Sequence, residues 1–268
     1  MKLKTLQWIN TISLAVTIII NALANLIPIG IGNTGAISKK YSNLFTPAPL
    51  TFGIWGVIYL MMAIFLLYQW GVIGKKESSR QDTWQIGLWF ASSCLINIGW
   101  IFAWHFDVIW LSLLLIIGLL LNLIQLSSLS HQNDHSFISY FATCAGFDLY
   151  LGWIIAATIA NVSVFLVRLK WDGFGISPVI WTSLVLVVGA IIGSASVIAA
   201  GKWFTGLAII WAYIGILIRH IGQNGFAGKY PAIIIFTIVG IVVILTSSLL
   251  KMLSRNRYTT EEYTVIMD

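Results

Sequence analysis

Long apolar runs separated by short polar stretches make up most of the chain. They lie near 7–30, 51–73, 84–104, 108–128, 137–166, 178–200, 203–220 and 231–250. About 20 apolar residues in helical form cross the hydrocarbon core of a bilayer. In lipid each backbone N–H and C=O must find its partner inside the segment, which favours helix. The pattern therefore predicts an all-α, polytopic membrane helical bundle of about eight spans, with almost no strand. A second period runs inside the spans. Phe52, Trp55, Tyr59 and Met62 share a stripe on the second span, and Phe90, Asn97, Trp100 and Trp104 share one on the third. Tyr150, Trp153, Ala157 and Asn161 share one on the fifth. Each stripe joins aromatic rings to a polar group. The first span carries Asn21 and Asn25, four apart and so on one face.

Composition sharpens this picture. The chain is 59% hydrophobic and 9% charged, where about a quarter of the residues of a soluble protein are charged. Thirteen tryptophans are present, and Trp55, Trp100, Trp153, Trp181 and Trp211 fall inside apolar segments instead of the interfacial belts that tryptophan usually occupies. Large flat rings with one N–H donor, set among helices, suit a pocket for a flat, mostly apolar ligand. Packing filler is the competing reading for any single ring. The net charge of +6 fits Lys and Arg in the loops of a membrane protein. No basic stripe suggests nucleic acid. Cys94 and Cys144 sit mid-span and read as small apolar residues.

With eight spans the two ends of the chain share a side. Nine Lys and Arg fall on that side and six on the other, which predicts cytoplasmic termini. Lys2 and Lys4 before an apolar run, with Ala22-Leu23-Ala24 beyond, leave a cleaved signal as an alternative, although the run continues to Pro28. The stretch 30–50 reads as a Gly-, Asn- and Pro-rich loop, 74–83 as a plain solvated loop, and 171–178 as a Gly/Pro hinge. His131, Asp134 and His135 have the chemistry of metal ligands, yet a polar loop is the preferred reading and no metal is expected. The residues after Lys251 read as an irregular polar tail. Gly189 and Gly193 form a small-xxx-small pair that permits close helix contact.

Asp148 is the one acid well inside a span, where it is costly and needs a partner. It lies about 140° from Trp153 around the helix, away from the aromatic stripe. Its expected partners are Arg219, His220 or His105. A proton-linked role and a structural ion pair both remain open.

Three ordered segments resemble the TspO/MBR family, the tryptophan-rich sensory proteins related to the mitochondrial translocator protein. LFTPAPLTFGIWGVIYLMMAIFLLYQW (44–70) is similar to the second-helix signature, with Pro47 eight residues before Trp55. LINIGWIFAWH (95–105) resembles the third-helix pattern of Asn and Trp, and LYLGWIIAATIAN (149–161) the fourth signature. Leu149 replaces the family's proline there, and Lys40-Tyr41 stands where Trp-Tyr is usual. The usual member has five spans. The resemblance therefore implies a five-helix TspO-like unit over 1–170, three additional transmembrane helices over 171–250 and the tail 251–268. It also implies a pocket for a porphyrin, another tetrapyrrole or a sterol, lined by Trp55, Asn97, Trp100, Tyr150, Trp153 and Asn161, with Tyr59 added from the second-span stripe.

A ligand-binding sensor or carrier without catalysis is the leading expectation. The alternatives are a proton-coupled transporter and a porphyrin-degrading enzyme. No nucleophile–base pair is visible and no cofactor is expected, a tetrapyrrole entering as ligand only. Membrane lipid and a small apolar ligand are the expected partners, a homodimer is open, and the expected location is a bacterial cell membrane. Leu207, Tyr213 and Arg219 fit the loosest form of a proposed cholesterol motif.

Overall fold

A computed structural model of the chain describes residues 2–267, leaving out 28, 31, 33, 134 and 135, and gives only the backbone from 255 onward. Pro28, Asp134, His135 and the side chains of Arg255 and Arg257 thus lie outside the described residues. In chain order the helices are α1 (Leu3–Leu26), α2 (Thr34–Lys40), α3 (Ile54–Gln69), α4 (Lys76–His105), α5 (Ile109–Ser130), α6 (Phe137–Tyr140), α7 (Gly146–Arg168), α8 (Pro178–Ala200), α9 (Trp203–Ile221) and α10 (Pro231–Met267). A 3₁₀ turn, Pro49–Gly53, leads into α3, and a π-helical turn, Phe141–Ala145, joins α6 to α7. No strand occurs among the described residues. Among the described residues eight helical segments are long and apolar enough to cross a membrane, and they match the eight apolar runs. The protein is an integral membrane helical bundle.

Local chemistry sets the ends of these helices. Ser177 caps α8 by accepting from the Ile180 N–H at 3.4 Å, with Pro178 in the first turn where its missing N–H costs nothing. The same helix stops at Gly201, which takes a left-handed φ of 65°.

Helix α4 packs on α1 and α5, α5 on α7, α7 on α9, and α10 on both α8 and α9. Phe65, Phe90 and Phe147 meet between α3, α4 and α7, with ring centroids 4.9–6.1 Å apart. A second apolar cluster joins Leu186, Ile209, Tyr213, Ile216, Ile233 and Ile244 of the last three spans to Leu44 and Phe45 of the first loop. Large apolar side chains such as Leu60, Leu95, Leu121 and Ile191 point outward. In water such a surface would be an aggregation hazard; against lipid it is the solvent-matched face.

Polar groups inside the bundle bind helices together. Asn10 donates to the Gln69 side chain at 2.9 Å, and Asn122 to Ser92 at 2.6 Å. The close approach expected at Gly189 and Gly193 is present. A Cβ on Gly189 would strike the Tyr213 hydroxyl, and one on Gly193 would sit 2.9 Å from Ile244.

Several expectations need correction. The 74–83 stretch is not a plain solvated loop. Helix α4 begins at Lys76, and Ser79, Asp82 and Thr83 are buried. Tyr68 and Asn133 both donate to the Asp82 carboxylate at 2.6 Å, which offsets its burial. The 30–50 loop contains helix α2. The backbone stays helical to Met267 where an irregular tail was expected. Asn25 shares a helical face with Asn21 but is exposed, because the buried stripe of α1 passes through Ala24 at that turn; it donates to the Asn21 carbonyl at 2.8 Å. Asp148 does not pair with Arg219, His220 or His105. It is fully buried, accepts from the Ser127 hydroxyl at 2.6 Å, and meets His131 Nε2 at 2.9 Å. His131 follows α5 directly, so the end of one span reaches the start of another.

Candidate ligand-binding site

Helices α1, α4, α7 and α9 finish at one end of the bundle, the end farther from Leu3. There the aromatic stripes converge. Trp55 of α3 stacks on Trp100 of α4 with centroids 6.4 Å apart and planes inclined by 30°. Trp100 stacks in turn on Trp104 at 5.7 Å. Trp153 of α7 meets Trp55 edge-on at 6.3 Å, and Phe52 meets Trp153 at 6.0 Å. These rings line a cavity of about 40 Å³, closed further by Asn161 and by Ala156, Ala157 and Ala160 on α7. The alanines leave room where larger side chains would fill it.

Two of the indole N–H groups are satisfied inside the protein. Trp100 donates to Asn161 Oδ1 at 3.3 Å, and Trp104 to the Thr34 carbonyl at 3.3 Å. Asn161 also accepts from Ser112 at 2.7 Å and donates to the Ala157 carbonyl at 2.9 Å, which fixes its orientation. The buried N–H of Trp153 has no partner among the described residues. A buried donor left unmade costs about 1–3 kcal/mol.

Of the residues expected at the site, Trp55, Trp100, Trp153 and Asn161 line the cavity. Tyr59, Asn97 and Tyr150 lie one turn deeper along their helices. Tyr59 and Tyr150 support Trp55 from below, at 5.6 and 5.7 Å, and Asn97 accepts from Asn21 at 3.0 Å. Residues not foreseen at the wall are Thr34, Phe45, Thr46 and Pro47 of the first loop and Ala212 and Ile216 of α9. The Pro47-to-Trp55 spacing pointed to the loop. No local signal pointed to α9.

The loop forms the roof, and α9 holds it there. Residues 42–51 run antiparallel to α9. Arg219 donates to the Ser42 hydroxyl at 2.7 Å, and His220 Nε2 meets the Leu44 carbonyl at 2.9 Å. The Ala48 N–H donates to the Gly215 carbonyl at 2.9 Å, and Trp211 Nε1 to the Thr51 carbonyl at 2.9 Å. At the other end of the roof, Asp107 accepts from Lys40 at 2.7 Å and from Tyr41 at 2.9 Å, and pairs with Arg168 at 3.2 Å. Burial alone would raise the Asp107 carboxyl, but the bonds from Lys40 and Tyr41 and the charges of Lys40 and Arg168 outweigh it and hold it below its ordinary value. The bonds to Asp107 and then Tyr41 raise Lys40 in turn.

Beside the cavity lies an open cleft of about 610 Å³ between the roof and the turn after α9. Cavity and cleft share Ser38, Thr46, Pro47 and Phe52 as a common wall. Helices from both halves of the chain thus build one aromatic cage with an open cleft beside it.

Among the described residues, eight apolar helices around such a cage make an integral membrane protein with an internal aromatic cavity. The family described as TSPO-like protein matches residues 7–250, and the chain belongs to it. The match runs through the last three spans and does not stop near residue 170. Comparison with curated proteins and with solved structures finds no match. Among the described residues no group of three or more His, Cys, Asp or Glu is placed to hold a metal.

Proposed function

We propose that the protein binds a flat, mostly apolar ligand of the tetrapyrrole or sterol class in the tryptophan cage and acts as a membrane sensor or carrier. The single observation that supports this most is the cage itself. Four tryptophans from three helices face one cavity. Aromatic contacts contribute about 0.5–1.5 kcal/mol per ring pair beyond the area they bury.

The cavity of about 40 Å³ is far smaller than the ~300–1,000 Å³ of a typical ligand pocket. Binding on this reading parts Trp55 from Trp100 and lifts the Pro47–Phe52 roof, so the cleft and the cage become one space. The test is an equilibrium titration of the purified protein in neutral detergent, read by tryptophan emission. A tetrapyrrole or a sterol gives saturable quenching if the reading holds. The absence of saturable quenching across both classes overturns it.

A second reading, a proton-coupled transporter, draws on Asp148. The acid is fully buried beside a π-helical turn and in contact with His131, and such turns recur at functional sites. Ligand flux into vesicles that follows an imposed pH gradient, and is lost in Asp148→Asn, would favour it over the carrier without coupling.

A further inference from the structure

We infer that the open cleft above the cage is a subsite for an anionic group, so that the ligand is an amphipathic acid, with its flat apolar body among the tryptophans and its carboxylate at Arg219. This rests on the cage reading and narrows it to acids, excluding neutral sterols.

The cleft of about 610 Å³ is lined by two cations, Arg219 and Lys39, and by no acid. Arg219 is half-buried, and the turn after α9 folds back to hold it. The Phe226 N–H donates to the Arg219 carbonyl at 2.9 Å, and the Phe226 ring lies 5.2 Å from the guanidinium. The hydrogen bond from its side chain goes to Ser42, a neutral hydroxyl. A guanidinium carries five N–H donors in a planar fork, and the bond to Ser42 uses one of them, while Arg219 also lines the cleft.

No acid is placed to neutralise it among the described residues. Asp107 is engaged by Lys40 and Arg168. Asp172 caps its own turn, accepting from the Phe174 N–H at 3.0 Å. A cation without a counter-ion, fixed by its surroundings at the rim of a cleft, favours a carboxylate or phosphate, and the paired geometry of such an anion matches the fork. Ser38, Thr46, Pro47 and Phe52 separate the two spaces by a single shared wall, so one molecule spans both once that roof lifts, as the cage reading requires. Lys39 at the exposed rim adds a second, solvent-screened charge.

The experiment compares protoporphyrin IX with its dimethyl ester, bodies of the same flat shape that differ in charge, by tryptophan quenching in neutral detergent. The diacid should bind about tenfold more tightly than the ester, the scale of one charge-assisted bond. Arg219→Gln should shrink that ratio to within about threefold, Arg219→Lys should keep most of it, and added salt should reduce it. Equal affinity for acid and ester in the wild type overturns the anionic subsite and leaves the cage standing. Failure of both to bind overturns the two together. If Arg219→Gln does not fold, the wild-type ratio alone decides. A phospholipid headgroup is the other source of such an anion. An acid preference that survives micelles doped with an anionic phospholipid supports the ligand's own carboxylate, and one abolished by that lipid gives the cleft to a headgroup and overturns the proposal.

Discussion

The indole N–H of Trp211 and the backbone carbonyl of Thr51 meet at 2.9 Å across a sequence separation of 160 residues. This bond ties the seventh span to the turn that opens the second, directly beside the cage. Trp211→Phe keeps an aromatic ring, smaller than the indole, and removes the donor. The expected loss is about 0.5–1.5 kcal/mol, felt locally as a looser roof. Limited proteolysis after Lys39 and Lys40 should therefore run faster in the variant than in the wild type. Equal cleavage rates would show that this bond does not hold the roof down.

Gly215 is the close-approach point of the same seam. A Cβ there would lie 2.8 Å from Thr51 Cγ2 and 2.9 Å from Thr51 Cβ. Helix propensity alone favours Gly→Ala by about 1 kcal/mol, but forcing an atom into a packed contact costs about 1–3 kcal/mol. The steric term should win, and Gly215→Ala should lower the thermal midpoint in detergent. Gly118, where a Cβ meets nothing within 4 Å, is the matched control, and its Ala variant should hold or gain stability. A rise in both would contradict the close seam.

The Asp107 junction makes roof stability depend on pH. The carboxyl is held below its ordinary value of 3.8, so its contribution is present above that value and lost as the pH falls through the lower, folded one. Lys40 is raised above 10.5, so its share is present below 10.5 and lost as the pH rises further. The contribution is thus level between these limits. Asp107 has a left-handed φ of 62°, which Asn also tolerates, so Asp107→Asn removes the charge without straining the turn. The thermal midpoint of the wild type should exceed that of the variant near neutral pH and converge on it in acid. A constant difference across the acid range would assign the gap to something other than this carboxylate.

The spans were legible because a bilayer imposes one length and one solvent on every crossing segment, and the apolar runs record both. The stripes were legible for a related reason. The helical period places Trp55, Trp100, Trp153 and Asn161 on inward faces, and they do line the cavity. Periodicity gives direction but not depth, which is why Tyr59, Asn97 and Tyr150 point the right way yet stand a turn below the cavity. Partners distant in sequence were not legible. Asp148 finds His131 because α5 ends beside the π-helical turn, and nothing within either segment encodes that. The pattern Leu207, Tyr213 and Arg219 does not form a surface. Tyr213 is buried with its hydroxyl donating to the Leu186 carbonyl, while Leu207 is exposed.

Asp148 lies five residues before Trp153 on α7 but faces Ser127 and His131 at the end of α5 and does not line the cavity, which separates stability from binding. Removing its charge leaves His131 without its carboxylate, while an amide can still accept from Ser127. Asp148→Asn should lower the thermal midpoint, by about 1–3 kcal/mol in stability terms, with ligand affinity within about twofold of the wild type. A tenfold loss of affinity at unchanged stability would place the acid in the binding machinery and contradict the geometry.

Tetrapyrrole affinity across three tryptophan variants tests the cage most directly. Trp55→Ala and Trp153→Ala each remove a ring from the cavity wall and should weaken binding by about tenfold or more, since about 1.4 kcal/mol is a factor of ten. Trp203→Ala, at the first residue of α9 and the far end of the bundle, should bind within about twofold of the wild type. Equal affinity in all three variants would contradict the account and place the ligand outside the cage.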